Sequence, residues 1–376
     1  MKELEQIPRL WASAEQAGAS GVLATVVRTQ GSSYRSPGAR LLITSDGRRA
    51  GSVSGGCLED DLVKKAWWLT ERGAVIRRYD TTADGDIANG GYGLGCNGTI
   101  DVLLERIGPG DAQSIELIRQ VRAHRFVAGI AYLIEPRDKA GQKLVIRDAG
   151  NVSHNIVDAG FAAALQEHTI AAIEDGGSRH VWLDGAGAFI ETLIPPLRLL
   201  IFGAGEDAIP LTEVARYLGW ETVVSDGRAH YAVREKFPCA DRVALRKPGD
   251  AATLVDPWTA AVIMNHSFSQ DLQVLQELRT ASLRYLGILG PRKRTEQILS
   301  DAGFHQDDIV SSFHSPIGLD IGAEVPEQVA LAVAAEIQAV LHARDGGPLC
   351  RMAGPIHARE ASTADNRPWI HSIACA

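Results

Sequence analysis

The chain has 376 residues, 45% of them hydrophobic and 22% charged, with a formal net charge of −8; that is globular composition with material for two or three cores. The acidic balance, and Lys/Arg clusters no denser than Arg292-Lys293-Arg294, exclude a basic face for nucleic acid. No stretch approaches the roughly 20 apolar residues of a spanning helix, and no apolar run follows the polar start Met1-Lys2-Glu3, so neither a membrane span nor a signal peptide is expected. The five cysteines, at 57, 96, 239, 350 and 375, are odd in number and scattered, which speaks against a secreted disulfide framework and for a reducing cytoplasm.

Residues 3–18 predict an amphipathic helix ending at Gly18, followed by a buried strand over 21–27. The polar, glycine-bounded stretch 31–38 reads as a loop, and 40–44 as a second strand turned into a hairpin by Asp46-Gly47. After Cys57, Leu58, Leu62, Ala66 and Leu69 recur at helical spacing until Gly73. Segments 75–79 and 99–105 read as strands around a long glycine-rich loop. Residues 107–196 read as helices with one hairpin (128–134 and 142–148), completing an α+β domain over 1–196, with Pro195-Pro196 as linker. From Arg198 short apolar strands (199–202, 222–225, 260–264, 285–289) alternate with helical stretches, the pattern of a parallel sheet covered on both faces, over 197–344. A last helix is expected from Pro326 to about Ala343, and 345–376 reads as a polar tail. The fold class is therefore α/β: an N-terminal α+β domain followed by a Rossmann-like parallel-sheet domain.

Two cysteines are set in glycine: Ser54-Gly55-Gly56-Cys57-Leu58-Glu59 and Gly93-Leu94-Gly95-Cys96-Asn97-Gly98. Glycine around a thiol removes bulk and lets something approach the backbone. Cys57 is placed at the opening of a helix, whose dipole favours thiolate, while Glu59, Asp60 and Asp61 oppose it. Either thiol is a candidate to meet a soft metal, a ligand or a partner; the alternative for each is a small buried residue in a tight turn. Neither makes a C-x-x-C pair, so a structural zinc site is not expected. Cys239, Cys350 and Cys375 have no supporting context.

Ile201-Phe202-Gly203-Ala204-Gly205-Glu206-Asp207-Ala208 matches G-x-G-x-x-A between a strand and a helix. Gly203 permits the turn, Gly205 lets a pyrophosphate approach, Ala208 allows close helix–strand packing, and Asp226 ends the next strand where an acid can accept from a ribose 2′-hydroxyl. NAD(P) or another nucleotide is thus a candidate ligand, although Glu206 and Asp207 put negative charge where phosphates would sit; a Rossmann scaffold without nucleotide is the alternative. His266 and Asp271, after the strand 260–264, and Arg292, after 285–289, are further candidates at the strand ends; the alternatives are a capping loop and a solvated turn.

The ordered run Gly31-Ser32-Ser33-Tyr34-Arg35-Ser36-Pro37-Gly38-Ala39-Arg40, Gly51-Ser52-Val53-Ser54-Gly55-Gly56-Cys57-Leu58-Glu59 and Gly93-Leu94-Gly95-Cys96 resembles the N-terminal domain of the XdhC/CoxI family. Phe202-Gly203-Ala204-Gly205, Gly287-Ile288-Leu289-Gly290-Pro291-Arg292 and His314-Ser315-Pro316-Ile317-Gly318-Leu319-Asp320-Ile321-Gly322 are similar to its Rossmann domain. The resemblance covers roughly residues 8–343. It implies a cytoplasmic accessory protein, more a chaperone than a catalyst. Such a protein binds molybdenum cofactor (molybdopterin), supports its sulfuration with a cysteine desulfurase, and delivers it to a xanthine dehydrogenase-like molybdenum hydroxylase. It also implies Cys57 as the first position to carry over as a molybdenum ligand, with Cys96, Gly55, Gly56 and Glu59 around it, and the Gly203 turn as a cradle for the cofactor's phosphate or dinucleotide. A homodimer is expected. Departures from the family's pattern fall mostly on the Rossmann side: Glu206 stands where a histidine is usual, Asn265-His266-Ser267 where Thr-His-Asp is usual, and Pro291 in place of the serine of Gly-Ser-Arg. On the cysteine side, Asn97 replaces a glycine. Two other readings remain open from the residues alone: an NAD(P)-dependent oxidoreductase with His266 as proton donor, and a nucleotide- or redox-sensing binding protein.

Overall fold

The computed structural model describes residues 3–31, 35–56, 58–80, 98–147, 150–304 and 313–352. The chain divides between Pro195 and Pro196 into two compact units.

The first unit holds two five-stranded antiparallel sheets. The first sheet has the order β3-β2-β1-β5-β4, built from β1 (Gly21–Gly31), β2 (Arg40–Thr44), β3 (Arg49–Gly51), β4 (Val75–Asp80) and β5 (Gly98–Ile107). The continuous apolar run of β1 reflects cover on both faces. Helix α2 (Glu59–Leu69) lays Leu62 and Ala66 over Val22, Ala24 and Val26. On the other side α1 (Glu3–Gln16) brings Ile7, Trp11 and Ala14 against Leu23 and Leu42, with α3 (Gln113–His124) contributing Ile115. The second sheet has the order β8-β7-β6-β10-β9: β6 (Ala128–Glu135), β7 (Lys143–Ile146), β8 (Val152–His154), β9 (Arg179–Leu183) and β10 (Ala186–Leu193). Helix α4 (Ala159–Asp175) covers one face through Phe161 and Leu165. The other face joins the first sheet in a shared core with Val27, Leu103, Ile130, Tyr132 and Phe189. The sequence predicts a single hairpin in this region; the structure has a whole sheet, and β1 runs on into the stretch read as loop.

Polar pairs also join the two sheets. Arg40 forms a buried ion pair with Glu191 and donates to the Tyr132 hydroxyl at 3.1 Å. Lys143 meets Glu105 at 3.0 Å. His180 Nε2 lies 2.7 Å from the Val27 carbonyl, where the β1–β5 register slips between Val26 and Arg28. A bulge leaves a backbone group without a ladder partner, and this histidine supplies one.

The second unit is a six-stranded parallel sheet of order β13-β12-β11-β14-β15-β16. Its strands are β11 (Arg198–Phe202), β12 (Glu221–Asp226), β13 (Arg242–Leu245), β14 (Thr259–Ile263), β15 (Tyr285–Ile288) and β16 (Phe313–His314). Helices α5 (Ala208–Leu218) and α8 (Pro326–Leu341) pack on one face, α6 (Phe268–Glu277) and α7 (Arg292–Asp301) on the other. Helix α8 is tied to the sheet edge by Glu336, which accepts from the Tyr285 hydroxyl (2.5 Å) and the Gly318 amide (2.9 Å) and pairs with His314 (3.3 Å). The strand order reverses between β11 and β14, and the carboxyl ends of these strands form the crevice where such sheets bind ligands. Among the described residues no helix is long and apolar enough to cross a membrane. Of the expected tail, residues 353–376 lie outside the described residues.

Candidate functional site: the carboxyl edge of the parallel sheet and the glycine loop before α2

Gly203 leaves β11 with φ +123°, and a Cβ there would lie 2.4 Å from the Met264 carbonyl oxygen and 2.8 Å from the Asn265 amide nitrogen. Glycine is required because the turn presses on the end of β14, a constraint present without any ligand. Gly205 leaves room for Asp207, whose carboxylate would meet a Cβ at 2.6 Å. Ala208 is fully buried at the start of α5. Asp207 reaches across the turn to His266 Nε2 at 2.6 Å. His266 itself has φ +55° and a side chain 64% exposed. Glu206, 80% exposed, faces Lys236 at 3.4 Å. Both acids of the turn thus stand beside a basic side chain.

Asp226 ends β12 fully buried. It accepts the Ala204 amide (2.9 Å), the Arg228 amide (2.8 Å), and the Arg228 guanidinium through Nε (2.9 Å) and Nη2 (2.8 Å). Burial alone would raise this carboxyl; the hydrogen bonds from Arg228 and Ala204 overcome it and hold the pKa below the usual carboxylate range. Arg228 lies over the Tyr231 ring, 3.9 Å from its centroid, and donates to the Asn265 carbonyl at 3.2 Å. Asn265 donates to Asp271, which in turn takes Arg294 at 2.6 Å. A bonded chain Asp226–Arg228–Asn265–Asp271–Arg294 therefore crosses the strand ends as the floor of the crevice.

Sequence motifs point to His266, Asp271, Asp226, the glycines and the Arg292-Lys293-Arg294 cluster of this edge but not to Arg228 or to the side chain of Asn265. Arg228 had a signal: two residues beyond an acid at a strand end, it can chelate that acid. Within the basic cluster Arg292 is exposed at the start of α7, and Arg294 is the residue paired with the floor.

In the first unit, Glu59 opens α2 and turns its carboxylate back on the preceding loop. It accepts the amides of Val53, Ser54 and Gly56, each at 2.9 Å, and the hydroxyls of Ser52 (2.7 Å) and Ser54. Burial alone would raise its pKa, but the bonds from Ser54 and Ser52 and the backbone hold it at about 2. Gly55 and Gly56 have φ of +85° and +125°, conformations that side chains resist, and both are exposed. The Ser54 hydroxyl accepts the Leu58 amide at 2.8 Å, closing the loop onto the helix. Glu59 therefore spends its oxygens on the loop. Cys57 and Cys96 lie outside the described residues, and the Glu59 loop and the Gly203 crevice belong to different units. Among the described residues no three His, Cys, Asp or Glu side chains cluster as a metal site.

Comparison with known proteins places these motifs. The model of the XdhC and CoxI family matches residues 14–80, and that of the XdhC Rossmann domain matches residues 199–337. A protein of Bacillus subtilis (strain 168) described as a probable xanthine dehydrogenase subunit is 33% identical, over 84% of this chain and 92% of its own length. The molybdenum cofactor insertion chaperone PaoD of Escherichia coli (strain K12) is 26% identical over 89% of this chain and 87% of its own. A crystal structure of a xanthine dehydrogenase from Bacillus halodurans superimposes with a TM-score of 0.72 at 30% identity, covering 90% of this chain and 96% of that one. The chain belongs to the XdhC and CoxI family.

Proposed function

We propose that this protein is an accessory factor that binds molybdenum cofactor, supports its sulfuration by a cysteine desulfurase, and delivers it to a xanthine dehydrogenase-type molybdenum hydroxylase in the cytoplasm. One observation carries the reading: the similarity to a molybdenum cofactor insertion chaperone spans 89% of this chain and includes both units. Asn97 departs from the family's pattern beside Cys96.

The residues present fit such a ligand. The Gly203 turn leads into α5, where the amides of Ala208 and Ile209 already donate to the carbonyls of Gly205 and Glu206, that of Ala204 donates to Asp226 and Pro210 has none, so the amides of Gly205, Glu206 and Asp207 are the ones proposed to face a phosphate. A buried acceptor, Asn265 Oδ1, has no partner at the same edge. When bound, the cofactor supplies a thiophilic molybdenum centre, for which Cys57 and Cys96 are the proposed protein ligands. This chain's part is to bind the cofactor and to release it to its acceptor; the turn at 203–207 in the second unit is the proposed phosphate site, and the loop fixed by Glu59 in the first unit precedes the proposed thiol Cys57. We propose a homodimer as the working form.

An NAD(P)-dependent oxidoreductase is the weaker reading, because the Asp226 carboxylate that would take a ribose hydroxyl is already filled by Arg228 and Ala204. The test is transfer. Protein purified from cells making the cofactor, mixed with cofactor-free hydroxylase, should restore turnover of the hydroxylase. Restoration no better than with an unrelated protein from the same cells would overturn the proposal.

A further inference from the structure

A cleft of about 430 Å³ opens in the first unit between α1, the start of α3 and the end of β7. That is the size of a small-molecule site. Pro8, Trp11 and Ile115 give it an apolar wall, Trp11 being 5% and Ile115 2% exposed. The Trp11 ring is seated so closely on β1 that a Cβ on Gly21 would lie 3.1 Å from its Cζ3, which holds the ring in place.

Three charged side chains of the lining already have partners. Glu15 Oε1 accepts the Gly110 amide at 2.9 Å. Glu116 takes Arg119 through Nε (2.7 Å) and Nη2 (2.6 Å), and Gln120 Nε2 at 2.7 Å. The bond from Arg119 holds Glu116 below the usual carboxylate range against burial, with Gln120 and the charges of Arg119 and Arg147 adding to it. Glu116 is therefore ionised and Arg119 is occupied.

Arg147 is the exception. It follows β7, its backbone amide held by the Asn151 carbonyl at 2.8 Å, and it lines the cleft. Among the described residues its guanidinium makes no hydrogen bond and no ion pair, and Nε is sealed from solvent without a partner. That leaves Nη1 and Nη2 as the donors that a molecule in the cleft meets. A partly buried guanidinium without an acceptor costs stability, and an anion in the cleft removes that cost. The lining also selects the anion. The planar fork of arginine matches a carboxylate. Glu15 and Glu116, in the same cleft, repel a second negative charge and so disfavour a phosphate dianion.

We propose that this cleft binds a monocarboxylate with an apolar body, its carboxylate on Arg147 and its body against Trp11, Pro8 and Ile115. None of these residues is among those proposed for molybdenum cofactor, so the site is independent of that reading.

The test is calorimetric titration of the full chain with benzoate, phenylacetate and hexanoate, with the amide of each, and with phenyl phosphate. At least one carboxylate should bind, its amide at least about tenfold more weakly, and phenyl phosphate no better than the amides. Arg147→Gln should bind acid and amide alike. Ala12→Trp, which fills the cleft from its exposed rim, should bind neither and carries the test if Arg147→Gln fails to fold. No binding of any probe, equal binding of acid and amide by wild type, phenyl phosphate bound better than the carboxylates, or wild-type affinity and discrimination in either folded variant would overturn the proposal. The readout needs neither molybdenum cofactor nor hydroxylase, so its failure and that of the accessory-factor reading are distinguishable.

Discussion

Arg40 Nη1 lies 2.8 Å from Glu191 Oε1, joining β2 of one sheet to β10 of the other inside the first unit. Both side chains are nearly fully buried. Arg40 also donates to the Gly38 carbonyl at 2.9 Å, and Glu191 is close enough that a Cβ on Gly38 would sit 2.9 Å from it. The pair therefore sets the end of the stretch 31–38, one of the segments that carry the family resemblance, as well as the fit of the two sheets. Burial alone would make the Arg40 guanidinium easier to deprotonate; Glu191 and Tyr132 more than reverse this and keep it charged.

Breaking that pair on one side should be far worse than removing it whole. Glu191→Ala leaves a buried, unpaired guanidinium and should cost about 3–5 kcal/mol, a fall in Tm of more than about 6 °C. The double variant Arg40→Met, Glu191→Leu should recover most of the loss. Thermal unfolding of the three proteins checks this, and equal losses in the single and double variants would contradict it.

The Glu59 carboxylate should make stability fall in acid. Its folded pKa of about 2 lies below the ordinary 4.5, so the folded state holds this proton less tightly than the unfolded state. Its contribution is complete above about 4.5 and is lost as the pH drops from there toward 2. Glu59→Gln should lower stability at pH 7 by about 2–3 kcal/mol and show a weaker decline between pH 5 and 3. Denaturant titrations at several pH values read both effects; parallel pH profiles of the two proteins would contradict them.

His180 gives a second dependence at higher pH. Burial lowers its pKa, opposed by the bond to Val27, and the Arg28 charge adds to the lowering. A histidine harder to protonate when folded contributes stability that is complete above about pH 6.5 and declines as the pH falls below it. His180→Gln should flatten the decline that begins below pH 6.5. A variant that keeps the wild-type slope below pH 6.5 would show that another group titrates.

Gly203→Ala tests what the first glycine of the turn is for. Its Cβ would collide with the backbone of Met264 and Asn265, so the loss should appear as reduced stability of the protein without ligand, by more than about 3 kcal/mol. A variant as stable as wild type that has merely lost ligand binding would assign the glycine to ligand approach alone.

The parallel sheet was legible because its apolar strands alternate with helices and the G-x-G-x-x-A turn falls between β11 and α5. Short strands were not: β13 and β16 have four and two residues, too few for a period to register. In the first unit, β9 and β10 meet at Asp184-Gly185 with φ of +47° and +78°, the two-residue hairpin turn that Asp-Gly favours. The signal was there. It was obscured because β9 is an edge strand whose Arg179, His180 and Trp182 do not read as a core element. At the site, sequence motifs located the glycines, Asp226 and His266, but not what fills the acid, because the Arg228 chelate and the Arg294–Asp271 pair depend on side-chain direction as well as position. Glu59 shows the same limit: a charge beside a cysteine in sequence is, in space, the anchor of the loop before it.

The proposed function has this chain carry molybdenum cofactor through a thiol. The most direct measurement is molybdenum and fluorescent pterin per chain in wild type, Cys57→Ala and Cys96→Ala, each produced in cells with an active cofactor pathway and purified without added metal. Near-stoichiometric pterin and molybdenum are expected in wild type, with loss of both in one of the two variants, Cys57→Ala being the expected one. Wild-type protein free of pterin and molybdenum, or equal retention in all three, would contradict it.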